Sequence, residues 1–324
     1  MTLRLGLVGG GWISGLHLEA LERLGRTELV GVVSRSPETA GTVIARWGGD
    51  PFDDVDAMVE RARPDVVYVA VPPHRAVAIG ERLVALRIPF LTEKPLAADD
   101  AAGPARLAAA IDGAGLVVAV GYHLRGLDIL GEVRAHLIAA PPHLVVARWL
   151  DATPSPAWWG RVDQGGGQVV EQATHLYDLA RLLLGEAVVV GAASTRDPAA
   201  SPPGVDVADG TAAVLRFASG AIGSFANSRR LASAVIEVEF ISDGLLTTLE
   251  KRAERGQGDW HARFDDGSNV RVIRAEADPY ERQAAAFLDA VERGDVDGVL
   301  CSYEDALRTD RLTRAVVGAT GARG

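Results

Sequence analysis

The chain has 324 residues, 48% hydrophobic and 23% charged, which is ordinary globular usage and enough for two domains with cores of their own. A formal net charge of −10 argues against a nucleic-acid surface, which runs on clustered lysine and arginine, and a single cysteine, Cys301, excludes an internal disulfide framework and metal sites built from several cysteines. No apolar stretch reaches the roughly 20 residues that span a bilayer, and Met1 passes directly into a strand-like run without a charged leader, so the expectation is a soluble, cytoplasmic chain with no membrane partner.

From 1 to 121, short apolar runs alternate with helix-length segments. LRLGLVG (3–9), LVGVVS (29–34), VVYVAV (66–71), IPFLT (88–92) and LVVAVG (116–121) read as strands buried on both faces. Segments 14–24, 37–47, 55–63, 75–86 and 99–111 are long enough for crossover helices, the second opened by a Ser36 cap and Pro37. This spacing predicts an α/β, doubly wound parallel sheet of the Rossmann kind.

Past residue 122 the pattern changes. A helix over 127–139 is followed by a hairpin over 211–228 around Ala-Ser-Gly and by strict alternation over 235–241, with Ile236, Val238 and Phe240 on one face. Stretches 196–210 and 253–270 read as surface loops, and helices over 280–292 and about 304–317 close the chain. The expected second domain, 122–324, is α+β with an open, mostly antiparallel sheet. No obvious helix covers the sheet's outer face, and such a face tends to be buried by another subunit.

Three stretches carry chemistry. In LVGGGWISGLH, Gly9, Gly11 and Ser14 occupy the G-x-G-x-x-G frame at a strand-to-helix turn, which lets backbone approach a pyrophosphate at a helix N-terminus. Gly9, Gly11, Trp12, Ile13 and Ser14 are therefore candidate dinucleotide contacts. About twenty residues on, where an NAD site places Asp or Glu on the ribose, the chain has Ser34, Arg35 and Ser36. A cation flanked by hydroxyls suits a 2′-phosphate, favouring NADP over NAD; the competing reading is a solvated turn residue stacked on adenine.

The second stretch is TEKP. Of 33 basic residues only Lys94 and Lys251 are lysines, and an ammonium can release its proton where a guanidinium cannot. The third is GGGQVVEQATHLYD. Taken as one helix over 168–184, it puts Val169, Ala173, Leu176, Ala180 and Leu183 on one face and Glu171, His175 and Asp178 on the other. A carboxylate at that spacing can hold an imidazole in one tautomer, although a plain solvated face has the same pattern. His136, His143 and His261 stand apart from one another and no metal-ligand spacing occurs, so no metal is expected.

GGGWISGLH, VPPH, TEKP, GYHLR, GGGQVVEQATHLYD and DPYERQAAAFLDAVERGD resemble, in order and along essentially the whole chain, the glucose–fructose oxidoreductase, inositol dehydrogenase and rhizopine-catabolism family (Gfo/Idh/MocA). The resemblance implies an oligomeric NAD(P)-dependent oxidoreductase of sugars, inositols or related polyols, a homodimer or homotetramer through the second domain's sheet. It implies Lys94 between nicotinamide and substrate, His175 as catalytic acid/base, and Pro72, His74 and Glu93 near the cofactor. The family usually has Asp four residues before that histidine; Glu171 stands here, one methylene longer. Trp158 and Trp159 fit either stacking on a sugar ring or anchoring their loop, and Tyr122, His123 and Arg125 are further substrate candidates where the second domain begins. Two other functions fit the same fold: redox-assisted glycoside hydrolysis on bound NAD, and a dinucleotide-sensing regulator without catalysis.

Overall fold

The computed structural model describes residues 2–98, 100–252 and 259–321. Asp99, the expected start of one helix, and 253–258, the first part of an expected loop, lie outside the described residues. The chain forms two compact units, one of 1–126 with 278–307 and one of 127–277 with 308–324.

The first unit begins β1 (Leu3–Val8), α1 (Trp12–Leu24), β2 (Thr27–Val33), α2 (Pro37–Trp47), β3 (Asp50–Phe52), α3 (Val55–Ala62), β4 (Val66–Val69), α4 (Pro73–Ala85), β5 (Phe90–Thr92), α5 (Gly103–Ala114) and β6 (Val118–Val120). Its six strands run parallel in the order β3-β2-β1-β4-β5-β6, the doubly wound order expected. The five predicted strands are present. The sixth, β3, is a three-residue edge strand containing Pro51, where a proline is tolerated because one side needs no donor.

The second unit contains α6 (Leu130–Ala139), β7 (Leu144–Ala152), α7 (Val162–Gly165), α8 (Gln168–Glu171), α9 (Thr174–Leu184), β8 (Ala187–Thr195), β9 (Gly210–Phe217), β10 (Ile222–Ser228), β11 (Arg230–Ser242), β12 (Leu245–Arg252), β13 (Asp259–Asp265) and β14 (Val270–Arg274). Its eight strands follow the order β14-β13-β12-β11-β7-β10-β9-β8, and only the β7–β10 pair is parallel. The predicted hairpin is β9–β10, and Ile236, Val238 and Phe240 are buried together. β13 falls where a loop was expected. Trp260, Ala262 and Phe264 alternate inward there, a strand signal diluted by the surrounding charges. On the other face Val188, Val190, Val214 and Ile222 are exposed.

The chain then forms α10 (Pro279–Arg293) and α11 (Tyr303–Ala319). The sequence places 278–307 with the second domain, whereas the structure returns this segment to the first. Ala284, Phe287 and Leu288 of α10 pack with Leu18 and Leu21 of α1, and Tyr303, Ala306 and Leu307 join the other core. A parallel sheet must be covered on both faces, and α10 supplies part of that cover.

Candidate functional site

The glycine turn is built by two different constraints. Gly9 sits at φ +109°, and a Cβ there would lie 2.2 Å from the Ala70 carbonyl oxygen, so only glycine fits between β1 and β4. Gly11 caps α1 in extended conformation, and a Cβ on it would meet nothing within 4 Å. No side chain caps the first turn of α1, where the Ser14 N–H bonds the Gly11 carbonyl at 3.0 Å; an uncapped helix N-terminus is the kind of end that can bind an anion. Trp12, at the first helical position, is 77% exposed, and Ile13 is half-buried. Ser14 is fully buried and packs inward, so it acts as the small third position of the frame.

At the end of β2 the Ser36 hydroxyl accepts a hydrogen bond from the Thr39 N–H at 3.3 Å and caps α2. Arg35 is exposed and has no carboxylate partner among the described residues; Ser34 is half-buried beside it. Pro72 caps α4, and His74 is exposed in that helix's first turn.

Lys94 lies two residues past the end of β5 and is half-buried; its peptide bond to Pro95 is cis. Glu93, expected near the cofactor, is instead buried with both oxygens engaged. Oε1 lies 2.7 Å from His17 Nε2, and Oε2 accepts the Lys94 backbone N–H at 3.2 Å. Tyr122 and Arg125 do not read as substrate groups. Tyr122 belongs to the first unit's core, and the buried Arg125 guanidinium pairs with Asp305 and the Leu300 carbonyl. His123 stacks on Tyr280 at 4.3 Å. These residues follow a strand end, where an outward and an inward side chain look alike in sequence.

In the second unit the single helix expected over 168–184 is broken. The Ala173 N–H bonds the Gln168 carbonyl five residues back, at 2.8 Å, which ends α8; α9 then restarts with Leu176 N–H on the Ala173 carbonyl. Gln168 is pinned from β10, donating to the Ser228 carbonyl and accepting from the Asn227 amide, both at 2.9 Å. The Gly166 and Gly167 turn, at φ +78° and +79°, delivers the chain to that anchor.

Glu171 ends α8 and accepts a hydrogen bond from the Trp159 indole N–H at 2.6 Å. His175, in the first turn of α9, is 3% exposed, and its ring stacks near Trp149 of β7 at 5.8 Å and 21°. A solvated face is thereby excluded. Asp178 is equally buried and accepts from Thr309 at 2.9 Å; Thr309 in turn accepts from Arg181 at 2.7 Å. Asp178 therefore helps tie α9 to α11. Trp158 is half-buried and Trp159 fully so. Sequence reasoning missed Trp149 as a neighbour of His175 and read Trp159 as a sugar-stacking or loop-anchoring aromatic, not as the partner of Glu171. The former signal is tertiary, while the twelve-residue separation of Trp159 and Glu171 is a loop closure that no periodicity reveals.

Lys251 lies on β12, where burial pushes its ammonium below the ordinary lysine value against the attraction of Asp151. Among the described residues no group of three or more His, Cys, Asp or Glu side chains could hold a metal, and no helix is long and apolar enough to cross a membrane.

Residues 3–122 match the model of an oxidoreductase family with an NAD-binding Rossmann fold, and 140–243 match the GFO/IDH/MocA C-terminal domain. An inositol 2-dehydrogenase of Rhizobium meliloti is 27% identical over 308 residues, covering 91% of this chain and 90% of that protein. The fold is shared with KijD10, a 3-ketoreductase from Actinomadura kijaniata crystallised with NADP and TDP-benzene, at TM-score 0.85, 22% identity and 98% coverage of each chain. It is also shared with GenD2 from gentamicin A biosynthesis, crystallised with NAD, at TM-score 0.83 and 23% identity, covering 99% of this chain and 94% of that one.

Proposed function

The chain belongs to the Gfo/Idh/MocA oxidoreductase family, and from that premise we propose that it prefers NADP and acts on a hydroxyl or carbonyl of a sugar, inositol or related polyol. The observation that carries the reading is the β1–α1 turn: Gly9 held against Ala70, Gly11 open, and an uncapped helix end beyond it. These residues fit a dinucleotide pyrophosphate. Arg35, exposed and without a carboxylate partner among the described residues, supports the NADP preference by its fit to a 2′-phosphate. The inositol dehydrogenase relative supports the substrate class.

The hydride chemistry would come from a nicotinamide dinucleotide held by Gly9, Gly11 and the first turn of α1. Lys94 then hydrogen-bonds the substrate oxygen and stabilises negative charge as it develops there. His175 takes up or returns the hydroxyl proton, and Glu171, itself oriented by Trp159, sets the field around it. The chain assembles as a homodimer or homotetramer through the outer sheet face that carries Val188, Val190, Val214 and Ile222. The test is a screen of inositols, aldoses and polyols with NADP⁺ and NAD⁺, following nicotinamide absorbance. Reduction of NADP⁺ by at least one of them, faster than of NAD⁺, is expected. No turnover with any polyol or sugar, or a clear NAD⁺ preference, would overturn the respective part.

A further inference from the structure

The buried pair His17–Glu93 has no part in the chemistry described above, yet it adjoins the residue that does. A carboxylate taken out of water costs several kcal/mol unless it is paired and hydrogen-bonded. Glu93 is 7% exposed and His17 1%. Three fixed groups confine the carboxylate. His17 Nε2 meets Oε1 at 2.7 Å, and the Lys94 N–H meets Oε2 at 3.2 Å. Gly121 closes the third side, since a Cβ there would lie 2.4 Å from Oε1. The backbone is held as well: Glu93 N–H donates to the Val69 carbonyl at 2.9 Å, and Gly121 N–H to the Thr92 carbonyl at 2.8 Å.

His17 is held in its turn. Its ring packs edge-on against Tyr68 and against Tyr280, with centroids 5.3 Å away in both cases, and Tyr280 stacks on His123. His17 Nδ1 has no hydrogen-bond partner among the described residues, which leaves Nε2, aimed at Glu93, as its one directional contact there. His17 lies one helical turn beyond Ser14 on α1, the helix whose N-terminus forms the phosphate cradle. The pair thus joins the phosphate-binding helix to the turn that presents Lys94, through buried side chains in contact with one another.

We propose that His17 and Glu93 are positioning residues that fix Lys94 in register with the dinucleotide cradle, with Tyr280 of the returning helix α10 as their brace. This rests on the reading of Lys94 as the group beside nicotinamide and adds how its place is set. A misplacement of about 1 Å in such a group is enough to lose roughly 10²-fold in rate.

The chain contains only two lysines, so brief acylation with an amine-reactive acetyl ester, read by peptide mass spectrometry, reports Lys94 against Lys251 as an internal reference. Native protein, Glu93→Gln and Gly121→Ala are labelled with and without NADPH, after thermal melts establish which variants are folded. In the native chain NADPH is expected to protect Lys94 and leave Lys251 unchanged. In the variants the Lys94:Lys251 ratio without cofactor is expected to rise about threefold or more, as local release of a packed turn exposes it. Protection by NADPH should weaken while the NADPH dissociation constant moves by less than about threefold, since the phosphate cradle is intact. Should Glu93→Gln not fold, Gly121→Ala keeps both partners and only displaces the carboxylate. Native labelling ratios and full protection in the folded variants would overturn the positioning role. Absence of NADPH protection in the native chain would overturn the reading of Lys94 itself, a failure visible before any substitution.

Discussion

Replacing Gly9 by alanine separates the two jobs of the glycine turn. A Cβ at residue 9 would stand 2.2 Å from the Ala70 oxygen and 2.7 Å from its carbon, both backbone atoms that cannot rotate away. An ordinary carbon–oxygen approach is about 3.3 Å, so the β1–α1 turn must open by roughly 1 Å. Holding an alanine at φ +109° adds strain of about 1–3 kcal/mol. For a unit of this size the melting temperature should fall by roughly 3–10 °C. The opening also moves the first N–H groups of α1 off the pyrophosphate. Loss of one charge-assisted hydrogen bond, about 1.5–3 kcal/mol, predicts NADPH binding weaker by roughly ten- to a hundredfold. Gly11→Ala is the counterpart. Its backbone is extended at φ −75° and its Cβ meets nothing, so the melting temperature should hold while NADPH affinity falls, because the methyl occupies the cofactor's approach. Differential scanning fluorimetry and tryptophan-fluorescence titration measure both quantities. Wild-type NADPH affinity in Gly11→Ala would refute the placement of the pyrophosphate at this turn.

Arg35→Asp should invert the order of NADPH and NADH affinity, by about 1.5–3 kcal/mol of lost charge-assisted bonding to the 2′-phosphate; tighter NADH binding by the unmodified protein would contradict the assignment. His175→Ala should lower turnover about 10²–10⁴-fold with little change in cofactor affinity, compared by steady-state kinetics and titration. Trp159→Phe removes the indole N–H from Glu171 and should cost about 1.5–3 kcal/mol in stability, read by denaturant melts, because a hydrogen bond to a carboxylate is lost. Light scattering at micromolar concentration should show an oligomer, and Val188→Glu with Val190→Glu should shift it toward monomer.

The first unit was readable because a doubly wound sheet writes its buried strands as apolar runs and punctuates them with turn residues. The glycine frame, the Arg35 strand end and Lys94 could be placed from that alone. Periodicity could not locate the break between α8 and α9, which comes from the Gln168 anchor on β10 and the five-residue bond to Ala173. It also could not show that Asp178 belongs to a Thr309 network or that Arg125 is spent on Asp305, since both partners come from far along the chain. The return of 278–307 to the first unit is the same kind of fact. An amphipathic helix states that it has a buried face, but not which sheet buries it.

The role proposed for Lys94 depends on its ammonium chemistry rather than on its charge. The decisive measurement is the single-turnover rate of hydride transfer, by nicotinamide absorbance, in Lys94→Arg against Lys251→Arg with the best substrate from the screen. A folded Lys94→Arg protein that binds NADPH normally and turns over at least about 100-fold more slowly, beside an unaffected Lys251→Arg, is predicted, since one lost donor to the developing charge is worth about 10²–10³ in rate. Equal rates for the two variants would contradict it.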